Sequence, residues 1–167
     1  MIKEFSSILV FMVFLTAYSH KDTASYTLDK AITEYEANLI NKGIGVLEGY
    51  QEGGFMHSQN PDIRITLKFG ELDGDTVGLA EVGGDECNIT IENEINPSNY
   101  THSDPKIRRE VMKQFKVTLI HEIGHCFGLE HDEGLNEIMS PYYNSEAATQ
   151  EAFDRFNEAL RRARKGL

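Results

Sequence analysis

The sequence predicts an α+β fold, and three observations predict it. Apolar residues recur at helical spacing from Leu28 to Leu39, from Ile107 to Phe127 and from Phe153 to Leu160. Residues 62–69 (DIRITLKF) and 87–91 (CNITI) instead alternate apolar and polar side chains, the period of a strand with one wet face. Glycines at 43, 45, 49, 53 and 54, and again from Gly70 to Gly84, separate the two kinds of period with connections and turns.

At 167 residues, with 40% hydrophobic and 26% charged side chains, the chain has the size and composition of one globular domain. Its first residues are of another kind. Met1 to Glu4 carry the amino terminus and Lys3, Phe5 to Tyr18 are nearly uncharged, and Ala17-Tyr18-Ser19 offers small residues where a signal peptidase cuts. Residues 1–19 are expected to be a secretory signal, since the apolar run is shorter than the roughly 20 residues that cross a bilayer. Residues 20–167 then form the single mature domain, secreted or extracytoplasmic. Export implies an oxidising compartment, where Cys87 and Cys126 either pair or stay as buried free thiols. The formal charge of −11 repels phosphate backbones and anionic headgroups, so neither nucleic acid nor, after signal removal, a membrane surface is an expected partner.

The elements follow in order. His20 to Tyr26 is polar and expected to be loose. Thr27 is expected to cap a first helix that buries Leu28, Ala31, Ile32, Tyr35 and Leu39 and stops at Gly43. Residues 44–60 form a connection with at most one short strand, and Pro61 closes it. The strand at 62–69 precedes a short segment, Val77 to Val82, held between turns, and the strand at 87–91. Ser103 or Asp104 followed by Pro105 starts a long helix, because proline is tolerated where no amide hydrogen is needed. Its stripe of Ile107, Val111, Phe115, Leu119, Ile123 and Phe127 runs into the densest histidine cluster of the chain. Thr149 opens a last helix with Phe153, Phe156, Ala159 and Leu160 inward, and Arg161, Arg162, Arg164 and Lys165 in its last turn, where cations suit the helix dipole.

That cluster, HEIGHCFGLEH, holds three of the six histidines of the chain in residues 121–131. On a helix, His121 and His125 project side by side and can grip one ion. His131 is the natural third ligand, but a straight helix would carry it nearly two turns too far. Gly128 supplies the bend, because glycine takes the left-handed helix-ending conformation without steric cost. Three neutral imidazoles leave zinc its double charge, which lowers the pKa of water on it to about 7, and Glu122 stands between the first two histidines to take the proton. Peptide hydrolysis is the chemistry this set of parts suits, with Glu122 as general base and then general acid.

The eleven-residue motif followed eight residues later by Met139 resembles the metzincin metallopeptidases, and IMSPYY, Ile138 to Tyr143, is similar to the matrixin branch in particular. The resemblance implies a metzincin-type zincin fold: a twisted mixed sheet, a backing helix and an active-site helix in an N-terminal subdomain of about 20–130, and a C-terminal subdomain of about 131–167 ending in a helix. It implies a secreted zinc endopeptidase with one catalytic zinc, Met139 as an apolar floor under the histidines, and Pro141, Tyr142 and Tyr143 as a wall of the substrate pocket. Residues 77–81 look like the edge strand above the cleft, so Gly78, Leu79 and Ala80 are expected to bind an extended peptide through the backbone. Val117 either lines the pocket or belongs to the core.

The chain also departs from the family pattern. No cysteine-switch prosegment is expected before residue 20, and Asp22 is not counted as a zinc ligand. The loop that carries a second zinc in many matrixins is compressed into Gly70 to Gly84 without histidine, and Asp132 stands where vertebrate matrixins usually have serine. Asp73, Asp75, Asp85 and Glu86 either hold calcium or form a solvated acidic loop. Asn88-Ile-Thr and Asn99-Tyr-Thr are glycosylation sequons; His20, His57 and His102 read as surface residues. The chain is expected to act as a monomer. The competing reading is a zinc-bearing module that binds peptides or an inhibitor without turnover, and the retained Glu122 speaks against it.

Overall fold

The computed structural model describes residues 23–47, 56, 59, 61–132, 137–142 and 148–166. The signal segment, His20, Asp22, His57 and Tyr143 lie outside them. Strand β2, Ile63–Gly70, buries Ile63, Ile65 and Leu67 and exposes Arg64 and Lys68, as the alternation requires. Strands β3, Gly78–Gly83, and β4, Glu86–Glu92, form the hairpin that follows. A further strand, β1, Ala24–Leu28, completes the sheet, which among the described residues has four strands in the order β1-β2-β4-β3. The β1–β2 and β2–β4 pairs are parallel and the β3–β4 pair antiparallel, so the sheet is mixed and β3 is one of its edges.

The first helix differs from expectation at both ends. Thr27 lies in β1, where pairing from Ala24↔Ile63 to Leu28↔Leu67 satisfies the backbone that seemed loose. Helix α1, Glu34–Ile44, starts instead at Thr33, whose hydroxyl accepts from the Glu36 N–H while the Glu36 carboxylate accepts from the Thr33 N–H at 2.8 Å. Gly43 does not stop it. The helix runs through that glycine to its cap at Gly45, and a Cβ at 43 would sit 2.9 Å from the Leu119 side chain, so its absence lets α1 lie close against α2, Pro105–Cys126.

Helix α2 begins with Asp104 as cap and Pro105 in the first turn. Its apolar stripe is buried only from Phe115 onward, Ile107 being 50% exposed. Phe115, Leu119, Ile120 and Ile123 join Ile63, Ile65, Leu67, Ile89 and Ile91 of the sheet in one core. Val117 is buried there too. Helix α3, Gln150–Lys165, is capped by Thr149 and ends at Gly166 in the left-handed region. It buries Phe153, Phe156 and Leu160, leaves Ala159 half-buried, and seats Phe153 under the Lys116 ammonium at 4.5 Å.

Glu36 ties α1 to the segment that leads into α2. Burial alone would raise its carboxyl, but hydrogen bonds from Asn96, Thr33 and Ser98 outweigh this and hold it below the ordinary glutamate range. A depressed folded pKa gives stability that is present above the unfolded pKa and is lost as pH falls through the folded one. Glu36→Gln is therefore expected to cost about 1 kcal/mol at neutral pH, discounted for exposure. Chemical denaturation should show the gap between variant and wild type closing in acid.

Candidate active site

Two histidines of α2 and one from the following loop meet at one point. The Nε2 atoms of His121 and His125 are 3.0 Å apart, and each is 3.2 Å from Nε2 of His131. Among the described residues this is the one group of three or more histidine, cysteine or carboxylate side chains placed to hold a metal. The third histidine arrives by a helix-ending motif. Gly128 has φ +84°, its N–H donates to the His125 carbonyl, and the Leu129 N–H donates to the Gly124 carbonyl. The reversed chain then presents the Leu129 carbonyl to Nδ1 of His125 at 2.7 Å.

The ring orientations decide what the cluster can bind. Nδ1 of His121 lies 2.6 Å from the Ile138 carbonyl, and a carbonyl can only accept, so Nδ1 of His121 and of His125 each carries its hydrogen. Burial holds the His121 ring down at about 4, more than the Ile138 carbonyl raises it, and burial likewise lowers His125. Both rings are therefore neutral near pH 7, with Nε2 lone pairs turned toward each other and toward His131. Lone pairs at such distances repel unless a cation sits among them. The donor set of three imidazole nitrogens, two of them with Nδ1–H held by backbone carbonyls, fits a zinc ion.

Met139 is 1% exposed and packs against α2 at Gly124, where a Cβ would come within 2.7 Å of its Sδ. Its carbonyl accepts from the Asp132 N–H at 2.9 Å, which ties the residue after His131 to the methionine turn. Pro141 and Tyr142 follow but lie exposed, Tyr142 at 76%. Cys87 and Cys126 are joined in a disulfide, so of the two states left open the thiols pair. Arg64 pairs with Asp85 and Glu86, while Asp73 and Asp75 stay exposed. His102 and the sequon asparagines Asn88 and Asn99 are also exposed.

Glu122 is 5% exposed, and burial pushes its carboxyl up to about 7, against the opposing hydrogen bond from the Ala80 N–H. That bond follows from strand register. Val77 accepts from its partner Glu92, so the backbone at 77, 79, 81 and 83 pairs with β4 and Leu79, expected to bind substrate through its backbone, is already engaged there, while the backbone polar groups of Gly78, Ala80 and Val82 point away from β4. A Cβ on Gly78 would lie 2.6 Å from Oε1 of Glu122 and 2.5 Å from the Thr118 methyl. Gly78→Ala is thus expected to displace the carboxylate and lower kcat by about tenfold to a hundredfold. The check is a kinetic assay paired with metal analysis, since zinc content should not change.

The three histidines, Glu122, Gly128 and Met139 were legible in the sequence, whereas the anchoring carbonyls of Leu129 and Ile138 were not. Every residue has a carbonyl, so no residue type signals those two.

A three-histidine centre of this kind, on a mixed sheet backed by a long helix, belongs to the metzincin class of zinc peptidase folds. Among family models, the one for matrixins matches residues 20–157. The chain belongs to the matrixin family of zinc metallopeptidases. Among solved structures it is similar to archaemetzincin from Methanopyrus kandleri, with 19% identity and a TM-score of 0.46 over 91% of this chain and 99% of that one.

Proposed function

We propose that the protein is a secreted endopeptidase that hydrolyses peptide bonds at one zinc held by His121, His125 and His131. The observation that carries this reading is the convergence of three Nε2 atoms within 3.2 Å of one another, beside a buried carboxylate that is not one of the three. Zinc bound there supplies a Lewis-acid charge that polarises a peptide carbonyl and acidifies water. The chain's own residues do the rest. Glu122 accepts the proton of the attacking water at its carboxylate and passes it to the departing amine nitrogen, and its raised pKa suits both halves of that task. The backbone groups of Gly78 and Val82 and the Ala80 carbonyl, all turned away from β4, pair with an extended substrate, while the segment that begins at Pro141 and Tyr142 borders the residue after the cut bond. Met139, packed against Gly124 on the helix that carries His121 and His125, supports that helix at the site.

Casein or a quenched peptide should be cleaved by the purified protein, the activity should vanish with a chelator, and stoichiometric zinc should restore it. Zinc binding without turnover on a broad peptide library would favour the binding-module reading instead. Export is tested by sequencing the amino terminus of the mature protein, expected at His20.

A further inference from the structure

Thr118, Glu122 and Cys126 follow one another at intervals of four and so share one side of α2. All three meet the β3–β4 hairpin. Thr118 and Glu122 lie against Gly78, and Cys126 is bonded to Cys87, which sits opposite Val82 in the ladder. Cys126 is also the last residue of the helix, next to His125, and the turn that returns the chain to His131 begins one residue later. Helix ends fray unless something holds them. Here the last turn carries one nitrogen of the cluster and, through the Gly124 and His125 carbonyls, anchors the turn that delivers another.

We propose that the Cys87–Cys126 disulfide is a positioning element of the metal centre, fixing the last turn of α2 to the interior strand β4 so that His125 and His131 converge. The inference rests on the zinc-site reading above. Strand β4 is suited to the task because it is paired on both sides, to β2 and to β3. The same bond sets the metal helix in register with the edge strand, since Val82 lies two residues from Ala80, whose N–H holds Glu122. Both cysteines are fully buried, so the link acts through the positions it fixes rather than by touching substrate.

The test compares zinc affinity, by competition with a chromogenic chelator, in four proteins. They are the disulfide-bonded wild type, the wild type produced in a reducing host with both thiols free, a Cys87→Val/Cys126→Ala variant, and Leu160→Ala as a destabilised control that keeps the bond. Affinity is expected to fall about 10–100-fold in both disulfide-free forms, as when an outer-shell partner is lost, and to stay at the wild-type level in the control. Amide exchange at Phe127, Gly128 and Leu129 should quicken in parallel. Affinity within twofold of wild type in either disulfide-free form overturns the proposal, as does an equal loss in the control. Failure of both disulfide-free forms to fold also overturns it, because the bond is then a staple of the whole chain. A disulfide-bonded wild type that binds no zinc sinks the function reading as well, and only that outcome does.

Discussion

Alanine at position 122 is expected to lower kcat for peptide cleavage by about 10²–10⁴-fold, the usual worth of a general base, and to leave the zinc content of the protein unchanged. The two halves of this result come from one geometric fact. Glu122 lies in sequence beside His121, yet its carboxylate faces Gly78 and the Ala80 N–H while the three Nε2 atoms face one another. Losing it removes a proton acceptor and no ligand. Glu122→Gln keeps the shape and should lose as much activity, which separates proton transfer from packing. Steady-state kinetics with elemental analysis of the same preparations decides the matter. A variant that keeps a tenth of its turnover, or that loses its metal, would remove Glu122 from the role assigned to it.

His131→Ala should weaken zinc binding on the order of a hundred- to a thousandfold, roughly one ligand's share of the affinity of a zinc site. His121 and His125 are four residues apart on one helix, whereas His131 reaches them only after the Gly128 turn. Turnover should fail at trace zinc and return in part when zinc is raised, because the two helical histidines and Glu122 remain in place. Chelator competition measures the first effect and a zinc titration of activity the second. Unchanged hydrolysis in this variant would mean that the reaction does not run at the histidine cluster.

Strong local periods made most of this architecture readable. The alternation of Ile63, Ile65 and Leu67 was enough for β2, and Pro105 and Thr149 marked the starts of α2 and α3. Strand β1 was not readable, because ASYTL is short and acquires its conformation from a parallel partner 39 residues further on. The late start of α1 was legible in principle: Thr33-Glu34-Tyr35-Glu36 has the spacing of a capping box, and Thr27 competed with it. Gly43 shows a different difficulty, since a glycine that ends a helix and one that admits a neighbouring helix look alike until the neighbour is known. At the site, the three histidines and Glu122 announced themselves by type and spacing. What holds them did not, because the Leu129 and Ile138 carbonyls belong to the main chain and the partnership of Cys87 with Cys126 depends on distance in space.

Anchoring imidazoles on main-chain oxygens makes the centre tolerant of genetic drift in a way that carboxylate anchors are not. A carboxylate partner vanishes with one codon change, whereas substitution of the side chain at 129 or 138 leaves the acceptor where it was. Natural variants should therefore exchange one apolar residue for another at these two positions, where Ile138 is buried and Leu129 packs on the core, while holding loop length fixed, and a single insertion between Gly128 and His131 should do more harm than such exchanges.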